Sequence, residues 1–216
     1  NGQNEGVRIA YTLEQCWHRV PGGTGIAAIE VARELAKTPE LTLIGVAGRH
    51  RHLPTKGFEP PIAVSSLPIG RPFLYRSWLR LGWPKVESVV DNADLVHSTT
   101  IIPPATSLPL VVTIHDLAFL HHPEFFTPRG NKVFRRSLDI VREKAAMVLC
   151  SSQATFDDCV AAGIGADRLR HVPLGVTTHV ITDADRARVR ATYDLPERFV
   201  LFVGTLEPRK NLARLI

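Results

Sequence analysis

The run Leu110 to His115 (LVVTIH) is the feature that most restricts what this chain can become. It is apolar at nearly every position instead of alternating, so it belongs to a strand covered on both faces, as in a parallel sheet layered by helices. The sequence around it keeps a β-then-α rhythm. Strands are predicted at Val7 to Thr12, Leu41 to Val46, Ile62 to Leu67, Asp94 to Thr99, Met147 to Cys150 and Arg168 to Val172. Between them, helical spacing covers Thr24 to Lys37 and Arg129 to Lys144. Pro72 to Val90 reads as helical in two pieces, broken at Gly82-Trp83-Pro84. Ser152 is placed to cap a helix that runs to Ala162 and stops at Gly163. Alternation of this kind specifies an α/β fold, a doubly wound and mainly parallel sheet of Rossmann-like type. Ligands of such sheets sit beyond the carboxyl ends of the strands, so chemistry is expected just after Thr12, Thr99, His115 and Cys150.

The pattern changes near Val176. A polar segment and a short Arg-rich helix lead to Tyr193, and Phe199 to Val203 (FVLFV) reads as a fresh strand. The expected organisation is a first domain over 1–176, a connecting segment over 177–196, and the start of a second α/β domain over 197–216. The composition is that of a globular protein, with 44% hydrophobic and 22% charged residues in 216, which excludes disordered and fibrous classes. No apolar run reaches the ~18 to 20 residues of a bilayer span, and NGQNEG at the start lacks the apolar core of a secretory signal. Asn1 is expected to be a trimmed end. Cys16, Cys150 and Cys159 have no metal-type spacing and are expected to be free, buried thiols of a reducing cytosol. The net charge of +5 suits phosphate-bearing ligands, anionic membranes or nucleic acid without choosing among them.

Five segments carry candidate chemistry. Pro21-Gly22-Gly23-Thr24-Gly25 runs into a helix, where glycines let backbone amides approach an anion and the helix N-terminus favours negative charge. Gly23-x-Gly25-x-x-Ala28 formally fits a dinucleotide fingerprint. However, about ten residues separate it from its strand, and the acid wanted after strand two is replaced by Val46-Ala47-Gly48-Arg49. His115 and Asp116 stand at the end of the buried strand, where an imidazole can bind or deprotonate a hydroxyl and a carboxylate can accept from one. His121-His122-Pro123-Glu124 has metal-ligand types without the spacing of a helical zinc site, so no metal is expected. Phe73, Tyr75, Trp78 and Trp83 interleave with Arg71, Arg76, Arg80 and Lys85, the make-up of an interfacial helix on anionic lipid or of a helix packed on the sheet with a wet basic face. No nucleic-acid motif accompanies them. Finally, Arg209 and Lys210 follow a predicted strand and precede a predicted helix; cations there oppose the helix dipole unless an anion is bound.

Taken in order, PGGTG, DLVHST, VVTIHDLAFLHHPEFF, VLCSSQATFDDCVAAGI, RHVPLGV and FVLFVGTLEPRKNLARLI resemble family 4 retaining glycosyltransferases of the GT-B fold, the group similar to bacterial mannosyltransferases. The resemblance implies two Rossmann-like domains facing a cleft, the first binding acceptor and the second the nucleotide sugar. By motif, Gly22, Gly23 and Gly25 would approach the donor diphosphate, His115 would sit beside the transferred sugar, and Arg209 and Lys210 would hold the phosphates; Asp116, adjacent to His115, is the second catalytic candidate. Charge on the departing nucleoside diphosphate would be stabilised without a cofactor or metal. The partners implied are a nucleotide sugar and a glycan or lipid-linked acceptor, with peripheral contact at the cytoplasmic face of a membrane and no nucleic acid. Thr205 stands where many members carry Arg, and the family's later acidic EPFG-like motif would lie past Ile216. Two other readings stay open: a dinucleotide-dependent oxidoreductase, and a non-catalytic interaction domain of similar fold. The 216-residue chain is expected to be truncated relative to the family and inactive by itself; a radiolabelled sugar-transfer assay on the purified chain checks this, and measurable turnover would overturn it.

Overall fold

The computed structural model describes residues 6–216, the side chain of Arg209 apart. They divide into two units, the first running to Pro173 and the second covering 174–216. The first unit is built on one parallel sheet. Its strands are β1 (Val7–Thr12), β2 (Leu41–Ala47), β3 (Val64–Ser66), β4 (Leu95–Ser98), β5 (Leu110–Ile114), β6 (Met147–Cys150) and β7 (Leu169–His171). Their order is β3-β2-β1-β4-β5-β6-β7, so the chain winds one way from β1 and then returns to wind the other. All six pairings are parallel, with Tyr11 opposite Gly45 on one side of β1 and His97 on the other. This is the doubly wound α/β fold expected from the strand pattern.

Burial explains why the middle strands are so apolar. On β5, Leu110, Val112 and Ile114 are fully buried, and Val111 and Thr113 half-buried on the other face. Helices α1 (Gly22–Leu35), α2 (Phe73–Leu81), α3 (Ala118–His121), α4 (Pro128–Lys144) and α5 (Gln153–Ala161) supply the cover. α1 seats Ala28, Ile29 and Ala32 on Tyr11, Leu13 and Cys16, and the Tyr11 hydroxyl donates to the Ala28 carbonyl at 3.0 Å. Leu74 and Trp78 of α2 and Leu138 and Val141 of α4 join Ala10, Val46, Val96, Val112, Ile114 and Val148 in the larger core. Local signals fix the helix ends. Thr127 accepts the Gly130 N–H, with Pro128 in the first turn of α4. Ser152 accepts the Thr155 N–H, and Gly163 leaves α5 at φ +85°.

Two details differ from the sequence-based expectations, and one open alternative is decided. α1 begins at Gly22, so the expected glycine loop is the first turn of the helix. Of the two readings of the aromatic segment, Trp78 takes the packed one: it is 5% exposed, and its indole N–H donates to the Pro84 carbonyl at 3.0 Å. Phe73 and Trp83 are the exposed aromatics of that segment. Residues 199–203 form no strand; extended backbone needs a neighbour to take its N–H and C=O groups, and none pairs with them among the described residues. The second unit's regular element is α6 (Asp183–Tyr193), opened by a capping box between Thr182 and Asp185. Cys16, Cys150 and Cys159 are free and buried, as expected. Among the described residues no helix is long and apolar enough to cross a membrane.

Two histidines tie stability to pH. His97 is buried between β1 and β5, its Nε2 2.8 Å from the Thr113 hydroxyl and its ring edge-on to Tyr11. Burial lowers its pKa from 6.5 to about 4. His18 is lowered to about 4 by burial first, then by the neighbouring Arg71 and His50. Both folded values lie below the unfolded one, so between pH 6.5 and 4 the unfolded chain binds the extra protons and stability falls as pH falls. The limiting slope is about 1.4 kcal/mol per pH unit per histidine. Urea unfolding followed at pH 7 and pH 5 is expected to show a lower midpoint at pH 5, with the drop reduced in His97→Gln.

Candidate functional site

The strand order reverses between β1 and β4, where a doubly wound sheet opens its crevice. Here one buried residue gathers the loops. The Thr99 hydroxyl donates to the Thr12 carbonyl at 2.7 Å, and it accepts from the Gln15 side-chain amide. The Thr99 N–H donates to the Thr12 hydroxyl at 3.0 Å. The Thr99 carbonyl, 3.2 Å from His115 Nε2, extends the network to the end of β5. Thr12, Gln15 and Thr99 are almost fully buried, so these bonds form away from competing water.

A carbonyl can only accept, so the His115 proton sits on Nε2 and the lone pair on Nδ1. Burial lowers the pKa of this half-buried imidazole, although the Thr99 carbonyl and Asp116 oppose the shift. The ring is therefore a neutral hydrogen-bond acceptor through Nδ1. Its own backbone carbonyl takes bonds from the Ser151 and Thr155 hydroxyls, both at 3.0 Å, which anchor it to the start of α5. Asp116 is exposed; one of its oxygens accepts the Ala118 N–H at 3.1 Å.

The glycines of the first motif head α1. No side chain caps this N-terminus, and no acid lies in its first turn. Gly22 has φ +63°, and a Cβ at Gly22 or Gly23 would meet nothing within 4 Å, so the backbone is open to a ligand. Gly25 is glycine for another reason, because a Cβ there would press on Pro21 and Phe58 at 2.7 and 3.2 Å. Nine residues, Leu13 to Pro21, separate β1 from the helix, and β2 gives way to Gly48-Arg49. The formal dinucleotide fingerprint thus lacks both the tight strand-to-helix turn and the ribose-binding acid.

A second cluster lies beyond the ends of β1, β2 and β3, and the sequence reading did not single out its centre. Glu14 is 2% exposed. Its Oε2 accepts the Gly48 N–H at 2.7 Å and lies 3.1 Å from His50 Nε2, while its Oε1 is buried with no partner among the described residues. The His50 ring stacks on Trp17 at 4.7 Å and 4°. His18 Nε2 is 3.2 Å from the Tyr75 hydroxyl, and the Arg71 guanidinium lies 5.6 Å from the Tyr75 ring centre. The β2 and β3 loops meet so closely that a Cβ on Gly70 would strike the Arg49 carbonyl at 2.1 Å. The carboxyl-end rule, applied to β2 as it was to β1, β4, β5 and β6, would have found His50.

The remaining candidate histidines pair with carboxylates. His121 is 2.8 Å from Asp158 and His122 is 3.2 Å from Glu124, so the two imidazoles face different carboxylates. Arg209 and Lys210 belong to the second unit, in a single 3-10 turn (Pro208–Lys210) and not at the head of a helix. So short a turn has little aligned dipole for cations to oppose. The Arg209 side chain lies outside the described residues.

Similarity to known proteins agrees with this architecture. No curated protein sequence matches the chain. The structure of HepE (Alr3699) from Anabaena in complex with UDP and glucose superposes with a TM-score of 0.54 at 17% identity, over 87% of this chain and 50% of that one. The same protein in complex with UDP-glucose gives 0.53 over the same shares. A UDP-N-acetylglucosamine 2-epimerase gives 0.50 at 13% identity, over 77% and 48%. At these identities the likeness is one of fold, and the chain spans about half the length of the structures it matches. The family model for Glycosyltransferase Family 4 matches residues 21–180, well over half of the sequence. With that match laid over the parallel sheet and its glycine-headed α1, the chain belongs to Glycosyltransferase Family 4.

Proposed function

We propose that this chain is the acceptor-side domain of a glycosyltransferase, with the beginning of its donor-side domain, and that the protein moves a hexosyl group from a nucleoside-diphosphate sugar to a hydroxyl acceptor. A mannosyl group transferred with retention is the specific form of this reading. The observation that carries it is the continuous path from His115 through Thr99 to Thr12 and Gln15, on the loop that leads to the open head of α1. HepE, of similar fold, is described with UDP, glucose and UDP-glucose, which supports a nucleotide sugar as the ligand.

In this reading the first-turn amides of α1 at Gly22 and Gly23 bind diphosphate oxygens and stabilise the charge that develops as the glycosidic bond breaks, while Gly25, whose N–H donates to the Pro21 carbonyl at 3.3 Å, keeps the turn compact beneath the diphosphate. His115, neutral with Nδ1 unprotonated, accepts a hydrogen bond from a hydroxyl of the transferred sugar. Asp116 offers its second carboxylate oxygen to another. Arg209 and Lys210, in the second unit, are cations of the type that bind phosphate. The scheme needs no metal, since helix amides and cationic side chains supply the stabilisation. The acceptor is a glycan or a lipid-linked sugar, and the protein works at the cytoplasmic face of a membrane.

Gly23 provides a clean test, because a side chain there meets no neighbouring atom and the fold tolerates it. Gly23→Val covers the amides and is expected to weaken UDP-glucose binding about tenfold or more, read by calorimetry on the full-length protein. His115→Ala is expected to lower nucleotide release from UDP-glucose about a hundredfold. Unchanged UDP-glucose binding in Gly23→Val, or tight NAD binding in its place, overturns the donor assignment. Unchanged turnover in His115→Ala leaves that residue a structural one.

A further inference from the structure

The basic character of this chain is confined to one stretch. Residues 41–86 hold seven Arg and Lys side chains against a single acid, Glu59, and all seven are exposed. The remainder of the chain is close to neutral. The stretch runs from β2 through β3 and α2, the elements whose loops form the cup around Glu14, His18, His50, Arg71 and Tyr75. Basic side chains on helices α1, α4 and α6 form ion pairs one turn away: Arg33 with Glu30, Arg142 with Asp139, Arg186 with Asp183. Arg71 is different. Among the described residues no carboxylate lies within 4.0 Å of it, and its guanidinium rests over the Tyr75 ring, where its stem and plane are held while its N–H groups stay available.

The rest of the cup is built to receive hydroxyls. Glu14 Oε2 holds the Nε2 edge of the His50 ring at 3.1 Å, so the Nδ1 edge is the one turned away from Glu14. Stacking on Trp17 fixes the plane of that ring. His18 and the Tyr75 hydroxyl present a second donor–acceptor pair at 3.2 Å. The second oxygen of Glu14 is buried without a partner among the described residues, an unmet acceptor in a site where the other polar atoms are engaged. Flat aromatic and imidazole surfaces beside fixed hydroxyl partners suit a sugar or polyol ring. A guanidinium at the edge suits a group with paired anionic oxygens.

We propose that this cup is the acceptor subsite and that it selects a polyhydroxy ring bearing a phosphate-type anion, with Arg71 binding the anion and His50, oriented by Glu14, hydrogen-bonded to a ring hydroxyl. The inference rests on the glycosyltransferase reading for the word acceptor. The binding chemistry stands on the cup itself, at residues separate from the α1 amides assigned to the donor.

The test is a titration of the 216-residue chain, labelled with 15N at histidine and backbone, using three probes: inorganic phosphate, glucose and glucose 1-phosphate. Glucose 1-phosphate is expected to shift the His18 and His50 ring nitrogens and to bind about tenfold or more tighter than glucose, a difference of about 1.4 kcal/mol or more. Arg71→Ala should abolish that preference and Arg71→Lys should keep part of it, because the charge remains and the planar fork is lost. Glu14→Gln should shift the His50 Nε2 signal in the nitrogen spectrum. Arg129→Ala, an exposed cation at the head of α4, should change none of these. Vesicles of phosphatidylcholine with and without phosphatidylglycerol separate the sources of the anion. Shifts at His18 and His50 from the anionic vesicles, displaced by glucose 1-phosphate, identify a lipid headgroup; shifts from glucose 1-phosphate alone identify a soluble acceptor. Equal affinity for glucose and glucose 1-phosphate, a preference that survives Arg71→Ala, or shifts confined to the Gly22 and Gly23 amides each overturn the proposal. UDP-glucose binding in the Gly23→Val variant is read independently, so failure of the subsite and failure of the donor assignment are distinct results.

Discussion

Thr99 is the residue on which the arrangement of this site depends. A parallel sheet leaves its loops to find their own partners, and at the reversal of strand order the loops after β1, β4 and β5 must be held together across the gap. Thr99 does this with its N–H, hydroxyl and carbonyl, joining Thr12, Gln15 and His115. Because the group is buried, each lost bond would leave a desolvated polar atom behind, at a cost of about 1–3 kcal/mol. The same bonds that close the crevice also fix the proton on His115, so fold stability and ligand chemistry share one network.

The cup around Glu14 shows the same economy at the other side of β1. A carboxylate at 2% exposure is tolerated because the Gly48 amide and His50 solvate one of its oxygens. Gly48 and Gly70 let the two loops close to backbone contact, which brings Arg71 and Tyr75 to His18. The two clusters meet in the 3-10 turn Glu14–Trp17: Gln15 points to Thr99, while Glu14 and Trp17 serve His50. A single short turn after the first strand therefore positions both sides of the site.

Much of this was legible from residue pattern. The apolar run at Leu110 to Ile114, the caps at Ser152 and Gly163, and the break after Leu81 at Gly82 all stand where local chemistry placed them. His115 was visible as a polar residue at the end of a buried strand. Its hydrogen-bonding direction was not, because that depends on a carbonyl sixteen residues away. The aromatic segment around Trp78 fitted an interfacial or a packed helix; its neighbours in sequence cannot say that its indole N–H is met by the Pro84 carbonyl under a layer of core. Phe199 to Val203 shows the opposite limit, since β-propensity marks a segment able to pair but not the presence of a partner strand.

The sequence by itself determined the parallel α/β architecture, the order of strands and helices along the chain, and the family to which those motifs point. Periodicity, caps and breakers act over a few residues and need no distant contact to be read. Tertiary structure alone decided that Glu14, His50, His18, Tyr75 and Arg71 form one cup, and that Thr99 links Gln15 to His115. Arg71 and Tyr75 are near neighbours in sequence, but the other pairs lie sixteen to eighty-four residues apart and come together only when the sheet is wound both ways from β1. Composition located a net positive charge somewhere on the molecule. The fold brought Arg71, one of those cations, over the Tyr75 ring beside His18.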